Sequence, residues 1–90
     1  MAPNFEIQKF RTSDMLHMEL LGDFDGSSAV ELINTLKEHR IGVDTICVNA
    51  RGLSKIYAFG REVLQKNIAG IQALEPYILF IGGTLGQDTV

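Results

Sequence analysis

Tryptophan is absent from these 90 residues, and there are only one cysteine, two histidines and two prolines. Because Cys47 has no second cysteine to pair with, no internal disulfide is expected, which is typical of a reducing compartment and favours a cytoplasmic protein. Cys47 lies in the apolar run 46–48, so we interpret it as a small core residue. His17 falls on a predicted strand and His39 near a predicted helix end, and nothing in the sequence brings them together. We therefore predict no metal site, no cofactor and no histidine-based catalysis.

The chain also lacks a basic patch and a long apolar run. Its formal net charge is −3, its pI is about 5.2, and its eight Lys and Arg are scattered, so nucleic acid is not an expected partner. No run is long enough to span a bilayer, and the N-terminus has no signal-peptide pattern. With 46% hydrophobic and 21% charged residues, the composition predicts one globular domain over residues 1–90, with 1–4 and 83–90 as loose tails.

Apolar spacing predicts four strands. Residues 5–10 and 15–21 alternate and are separated by turn residues, so they predict an antiparallel hairpin with Leu16, Met18 and Leu20 on one face. The run 46–48 is apolar at every position, which predicts a strand buried on both faces. The run 77–81, the fourth predicted strand, is likewise apolar on both faces.

Two helices are predicted between these strands. The segment GDFDGSS at 22–28 is expected to break the second strand, and Ser28 with Glu31 fits a capping box that begins the first helix. Asp23 and Asp25 precede this helix, where turn and cap chemistry explains them; an acid/base or Mg²⁺ pair is the alternative. The second helix has an apolar stripe with a period of three and four: Ile56, Phe59, Gly60, Val63, Leu64, Asn67, Ile68 and Ile71.

The predicted order is therefore β-β-α-β-α-β, an α/β fold with a mixed four-stranded sheet. Right-handed crossovers between successive neighbouring strands would put both helices mainly on one face of this sheet. The other face would be left short of cover although Leu79 and Ile81 are apolar. This implies that the face is buried against a second copy or against another protein, and we expect a homodimer.

Function is predicted at the carboxyl ends of the second and third strands, where α/β proteins usually meet ligands and partners. The segment 51–53 is expected to be a polar, glycine-containing loop, with 54–61 as the main contact segment and 23–27 beside it. Tyr57 lies off the helical stripe and is the preferred contact, whereas Phe59 is assigned to the inward stripe. The expected partner-binding residues are Asp23, Asp25, Ser27, Ser54, Lys55, Tyr57, Ala58 and Arg61.

Two motifs carry a resemblance to a known family. The first is LLGDFD at 20–25, followed by Ser27-Ser28-Ala29 and a helix that reaches Leu36; the second is ICVNARGL at 46–53, followed by Ile56 and Gly60. Together they resemble the STAS domain, the fold of bacterial anti-sigma factor antagonists. The resemblance covers roughly residues 5–80 and implies a regulatory signalling module whose partner is an anti-sigma factor that is also a kinase-like ATPase.

The chain departs from this family at the phosphorylation site. Family members carry Asp-Ser-Ser-Gly, whose first serine is phosphorylated; this sequence reads Tyr57, Ala58, Phe59 and Gly60 there. Because Ala58 has no hydroxyl, the usual serine switch is not expected at this position. The sequence also has no further strand or helices after the fourth predicted strand, which typical members add.

The leading hypothesis is accordingly a non-catalytic protein-interaction module. No nucleophile is paired with a base, and Cys47 lies inside a predicted strand. Two alternatives stay open: a sensor that binds a nucleotide or another anion at Arg61 and the second helix N-terminus, and a structural subunit of a larger assembly. Phosphorylation at Ser54, Ser27 or Ser28 is a further alternative.

Overall fold

The computed structural model describes residues 4–40, 42–72 and 77–82. Its elements are, in chain order, β1 Glu6–Arg11, β2 Met15–Phe24, α1 Gly26–His39, β3 Thr45–Ile56, α2 Ala58–Gln72 and β4 Tyr77–Ile81. The predicted order β-β-α-β-α-β is confirmed. Of the predicted tails, only Asn4 lies within the described residues.

The four strands form one mixed sheet in the order β1-β2-β3-β4. β1 pairs antiparallel with β2, whereas β2, β3 and β4 are parallel, so α1 and α2 are the crossovers between neighbouring parallel strands. Both crossovers step in the same direction across the sheet, which puts the two helices on the same face, where they pack together. Neither helix of the described residues is long and apolar enough to cross a bilayer.

The hydrophobic core lies between this face and the helices. Leu16, Met18 and Leu20 of β2 are buried, as the alternation predicted, and β3 and β4 contribute Ile46, Val48 and Ile78. The helices contribute their inward stripes: Ala29, Leu32, Ile33 and Leu36 from α1, and Leu64 and Ile68 from α2. Residues of alternate parity point to the other side of the sheet, which we call the open face: Gln8, Phe10, His17, Glu19, Cys47, Asn49, Leu79 and Ile81.

Two predicted breaks in the sheet were wrong. β2 continues through Gly22 to Phe24, and β3 continues through the expected loop 51–53 to Ile56. The reason is two irregularities in the pairing of β2 with β3, each of which inserts one extra residue into β3. In β3 each bulge shifts the in-and-out alternation by one residue while the strands stay paired, so its sequence pattern ends before the strand does. β2 keeps its alternation, with Leu20 and Phe24 both fully buried, because its partner strand continues to Ile56.

The predicted capping box at Ser28 was also wrong. α1 begins at Gly26, its N-cap is Asp25, and Ser28 is a buried residue of the first turn. Asp25 takes the cap because β2 extends to Phe24 and leaves only one residue between strand and helix. The cap interpretation of Asp25 therefore holds, with a different partner from the one the sequence suggested.

Two residues lie elsewhere than predicted. Cys47 is buried, but it lies on the open face between His17 and Leu79 rather than in the main core, because its register partners belong to that side. Asn67, assigned to the inward stripe of α2, is exposed, and its side-chain amide donates to the carbonyl of Val63. The buried positions of α2 form a narrower stripe than its sequence pattern indicated.

Candidate functional site

The carboxyl ends of β2 and β3 lie side by side. Phe24 is paired with Ile56 in parallel register, and the next backbone N–H, that of Tyr57, donates to the Phe24 carbonyl at 2.9 Å. Phe24 is fully buried, and its ring meets the ring of Phe5 edge to face. This contact holds the end of β2 against the hydrophobic core. The segments 23–27 and 54–61, which are distant in sequence, therefore meet at one edge of the sheet.

Asp25 organises the start of α1. Its Oδ1 accepts hydrogen bonds from the Ser28 backbone N–H and from the Ser28 hydroxyl, both at 2.9 Å, and the same hydroxyl lies 3.2 Å from the Asp23 carbonyl oxygen. The hydrogen bond from the Ser28 backbone holds the pKa of the Asp25 carboxyl below its ordinary value. The Asp25 carboxylate is thus an anionic cap with a fixed orientation.

The first turns of the two helices touch through glycines. A Cβ placed on Gly60 would lie 2.6 Å from the carbonyl carbon and oxygen of Asp25, so only glycine lets α2 approach this backbone. A Cβ on Gly26 would lie 2.7 Å from the Phe59 ring, so the ring rests directly on the first residue of α1. The two helix starts form one continuous surface, with Phe59 laid across the junction.

Two aromatic side chains project from this junction. Tyr57 is 44% exposed and Phe59 is 68% exposed. The assignment of Phe59 to the inward stripe was wrong, because Gly60 and Leu64 take the buried positions of α2 and turn Phe59 toward α1. The Lys55 Nζ lies 5.2 Å from the centroid of the Tyr57 ring, within the range of a cation–π contact.

We call this surface the rim. It consists of the following residues: Asp23, Asp25, Gly26, Ser27, Lys55, Tyr57, Ala58, Phe59, Gly60 and Arg61.

The other predicted contact residues are distributed around the rim. Ser27 and Ala58 are exposed in the first turns of α1 and α2, and Asp23 pairs in register with Lys55 near the strand ends. Ser54 is exposed, but it is the extra residue of a bulge in β3, one strand position before Lys55. Arg61 is half-buried, and its backbone N–H donates to the Tyr57 carbonyl at 3.1 Å.

Phe59 is the rim residue that the sequence reasoning missed. The missed signal is the glycine pair: Gly26 follows an N-capping aspartate and Gly60 follows Phe59, a combination that permits two helix starts to approach closely. A shallow groove of about 270 Å³ continues from Phe59 along the outer side of α2 and is lined also by Ala58, Arg61 and Glu62. The rim therefore offers apolar surface bordered by charges of both signs.

Few reactive groups lie near the rim. In residues 4–40, 42–72 and 77–82, no three His, Cys, Asp or Glu side chains are placed to hold a metal ion. Cys47 lies in the middle of the sheet, and burial raises the pKa of its thiol.

Solved structures of low sequence identity share this architecture. A STAS domain of an anti-sigma factor antagonist from Rhodobacter sphaeroides superposes with a TM-score of 0.72 at 9% identity, over 98% of this chain and 97% of that one. The anti-sigma factor antagonist SpoIIAA, in its unphosphorylated form, superposes with a TM-score of 0.62 at 16% identity, over 88% of this chain and 73% of that one. The chain therefore has the STAS fold. Its sequence matches no protein-family model and no curated protein.

The same fold occurs inside a larger protein. The crystal structure of Mglu contains a region that superposes with a TM-score of 0.74 at 20% identity, over 84% of this chain but only 19% of the Mglu chain. This chain thus spans about a fifth of the length of Mglu.

Proposed function

We propose that this chain is a regulatory protein-binding module with the STAS fold, and that it docks its partner through the rim. The observation that carries the proposal is the pair of exposed aromatic side chains, Tyr57 and Phe59, at the start of α2, where it adjoins the start of α1. Tyrosine and phenylalanine bury large areas at low entropic cost, so they are frequent anchors of protein interfaces.

The rim is also preorganised for binding. Phe59 rests on Gly26, and Tyr57 is tied to Phe24 by its backbone N–H. A partner would therefore spend little free energy on ordering the backbone at Tyr57 and the Phe59 ring, and more of the contact energy would appear as affinity. The Asp25 carboxylate and Lys55 border the aromatic pair and would select the charges of the partner surface.

Control by phosphorylation at the family position is not part of the proposal. SpoIIAA is described as having an unphosphorylated form, whereas the first residue of α2 in this chain is Ala58, which carries no hydroxyl. Binding at this rim would then be regulated by the amount of the module or of its partner. An anti-sigma factor of the ATPase type is the partner class that the fold suggests.

A quantitative pull-down from an extract of the native cell tests the proposal. The bait would be immobilised at low density as wild type, as the double variant Tyr57→Ala with Phe59→Ser, and as the double variant Tyr57→Ala with Arg61→Glu. Phe10→Ser is the matched control, because Phe10 is 66% exposed, close to the value for Phe59, but lies on an edge strand and on the open face.

We expect both rim variants to lose the same captured proteins by at least about tenfold, as for interface anchors, while Phe10→Ser retains them. Circular dichroism would establish that all variants are folded. Equal recovery of the same proteins by wild type and both rim variants would contradict a rim-centred interface.

A further inference from the structure

The open face of the sheet has its own pattern, separate from the rim. Strand pairing arranges its side chains in two parallel rows that cross all four strands: Phe10, His17, Cys47 and Leu79 in one row, and Gln8, Glu19, Asn49 and Ile81 in the other. The first row is apolar at both ends, with Phe10 66% exposed and Leu79 41% exposed. The ring centroids of Phe10 and His17 lie 5.9 Å apart in a tilted contact between neighbouring strands.

We propose that the open face binds the open face of a second copy of this chain, through a two-fold axis that runs parallel to the strands. Such an axis places β1 of one copy over β4 of the other and leaves each row facing itself in reverse order. Phe10 then lies over Leu79 of the second copy, and Leu79 lies over Phe10 of that copy. The same contact is made twice, as a two-fold interface requires.

The second row fits the same arrangement. Glu19 faces Asn49 of the second copy, so the carboxylates of the two copies are not placed opposite each other. The Asn49 Oδ1 accepts from the Arg51 backbone N–H at 2.9 Å, which leaves its amide nitrogen to donate to Glu19 of the second copy. A depression of about 520 Å³ lies beside Phe10 and over His17 and Glu19, and it gives room for a projecting Leu79 of that copy.

The size of the face predicts a weak dimer. Four strands about 4.8 Å apart and about 17 Å long give a flat area of about 320 Å² per copy. Two such faces bury about 650 Å² before the side-chain relief is counted, below the range of about 1,200–2,000 Å² for stable complexes. We therefore expect reversible association at roughly 100 µM rather than a permanent dimer.

The axis direction has a consequence for the rim. Because the axis is parallel to the strands, the carboxyl ends of β2 and β3 point the same way in both copies, so the dimer would present two rims at one end. If the proposed function holds, this geometry suits a partner with two sites, and the second contact would benefit from a high effective concentration. The dimer itself does not depend on the rim, and it is tested without the partner.

Sedimentation equilibrium from about 10 µM to 1 mM tests the proposal. Wild type should show a rising average mass, whereas Phe10→Lys and Leu79→Glu should each weaken self-association at least about tenfold, because each buries an unpaired charge twice. An equimolar mixture of these two variants should recover association, since the mixed dimer contains one Lys–Glu pair and one native Phe–Leu contact. The rim variant Phe59→Ser should associate like wild type.

Three results of the sedimentation experiment would contradict the proposed dimer or its axis. A wild type that remains monomeric at 1 mM would overturn the dimer, as would unchanged association in both single variants. Association that both single variants lose and their mixture does not recover would overturn the axis, because an axis across the strands does not place Phe10 over Leu79. Both substitutions are at exposed edge positions, and circular dichroism would confirm that the variants are folded.

Discussion

The starts of the two helices approach each other closely at a single glycine, and replacing Gly60 by alanine would test this contact directly. The added Cβ would lie 2.6 Å from both the carbonyl carbon and the carbonyl oxygen of Asp25 and 2.9 Å from its Cα. All three are backbone atoms, and Asp25 is held in place as the N-cap of α1. The clash is therefore not relieved by rotating a side chain; α2 must move away from α1.

The expected magnitude follows from two opposing effects. In a helix, Gly→Ala by itself stabilises the folded state by about 1 kcal/mol, because alanine loses less backbone entropy on folding. Inserting a methyl group into a packed contact costs about 1–3 kcal/mol, and here the contact is with rigid backbone. Because rigid backbone cannot yield, we expect a packing cost near the upper end of this range, about 2–3 kcal/mol, so that Gly60→Ala lowers the free energy of unfolding by about 1–2 kcal/mol once the propensity gain is subtracted.

The same helix contains the control. Gly70 also lies in α2 and is exposed, and outside the backbone of its own helix a Cβ placed on it would meet no atom of the described residues within 4 Å, so Gly70→Ala should raise the free energy of unfolding by up to about 1 kcal/mol. Urea denaturation followed by circular dichroism would measure both variants. Equal stabilisation by the two substitutions would refute the close contact between the helix starts, and with it the positioning of Phe59 on Gly26.

Three further predictions concern single side chains. The pKa of Asp25 is lowered, so its charge stabilises the folded state above the ordinary carboxyl range, and this stabilisation disappears as pH falls through the lowered pKa. In urea titrations, the stability advantage of wild type over Asp25→Asn should therefore shrink on acidification. A pH-independent difference would contradict a charged cap. Leu64→Ala, at a fully buried position of α2, should lower the free energy of unfolding by about 2–5 kcal/mol. The control Val30→Ala, on the exposed side of α1, should lower it by less than about 0.5 kcal/mol. Similar losses in the two variants would place Leu64 outside the core. The Cys47 thiol, whose pKa is raised by burial, should react with a chromogenic disulfide far more slowly in the folded protein than in urea, and equal rates would show that the strand does not protect it.

The strand and helix order was predictable because it depends on local spacing. The alternation of Leu16, Met18 and Leu20 and the uninterrupted apolar run 46–48 are short-range signals, and the structure confirms the burial that they predicted. With successive strands taken as neighbours, the crossover rule then predicted that both helices lie on one face of the sheet, and the structure has that strand order. The adjacency of 23–27 and 54–61 follows from that order, since parallel neighbours end at the same edge.

The errors at the strand ends share one cause. The end of β2 at Phe24, the end of β3 at Ile56 and the N-cap at Asp25 all depend on bulges in the pairing of two strands that are about 30 residues apart in sequence. A glycine in a bulged strand and a glycine in a loop look alike along the chain. Only the partner strand decides between them.

The sequence by itself determined the fold class, the order of elements and the buried face of β2, because hydrophobic periodicity acts between residues a few positions apart. The tertiary structure decided which residues form the exposed surfaces. Phe59 has the spacing of a core residue, but the contact of Gly60 with the Asp25 backbone turns it outward onto Gly26. Cys47 has the surroundings of a core residue, but its register with His17 and Leu79 assigns it to the open face. Both outcomes depend on contacts between segments distant in sequence, whose geometry is fixed only when the strands and helices pack together.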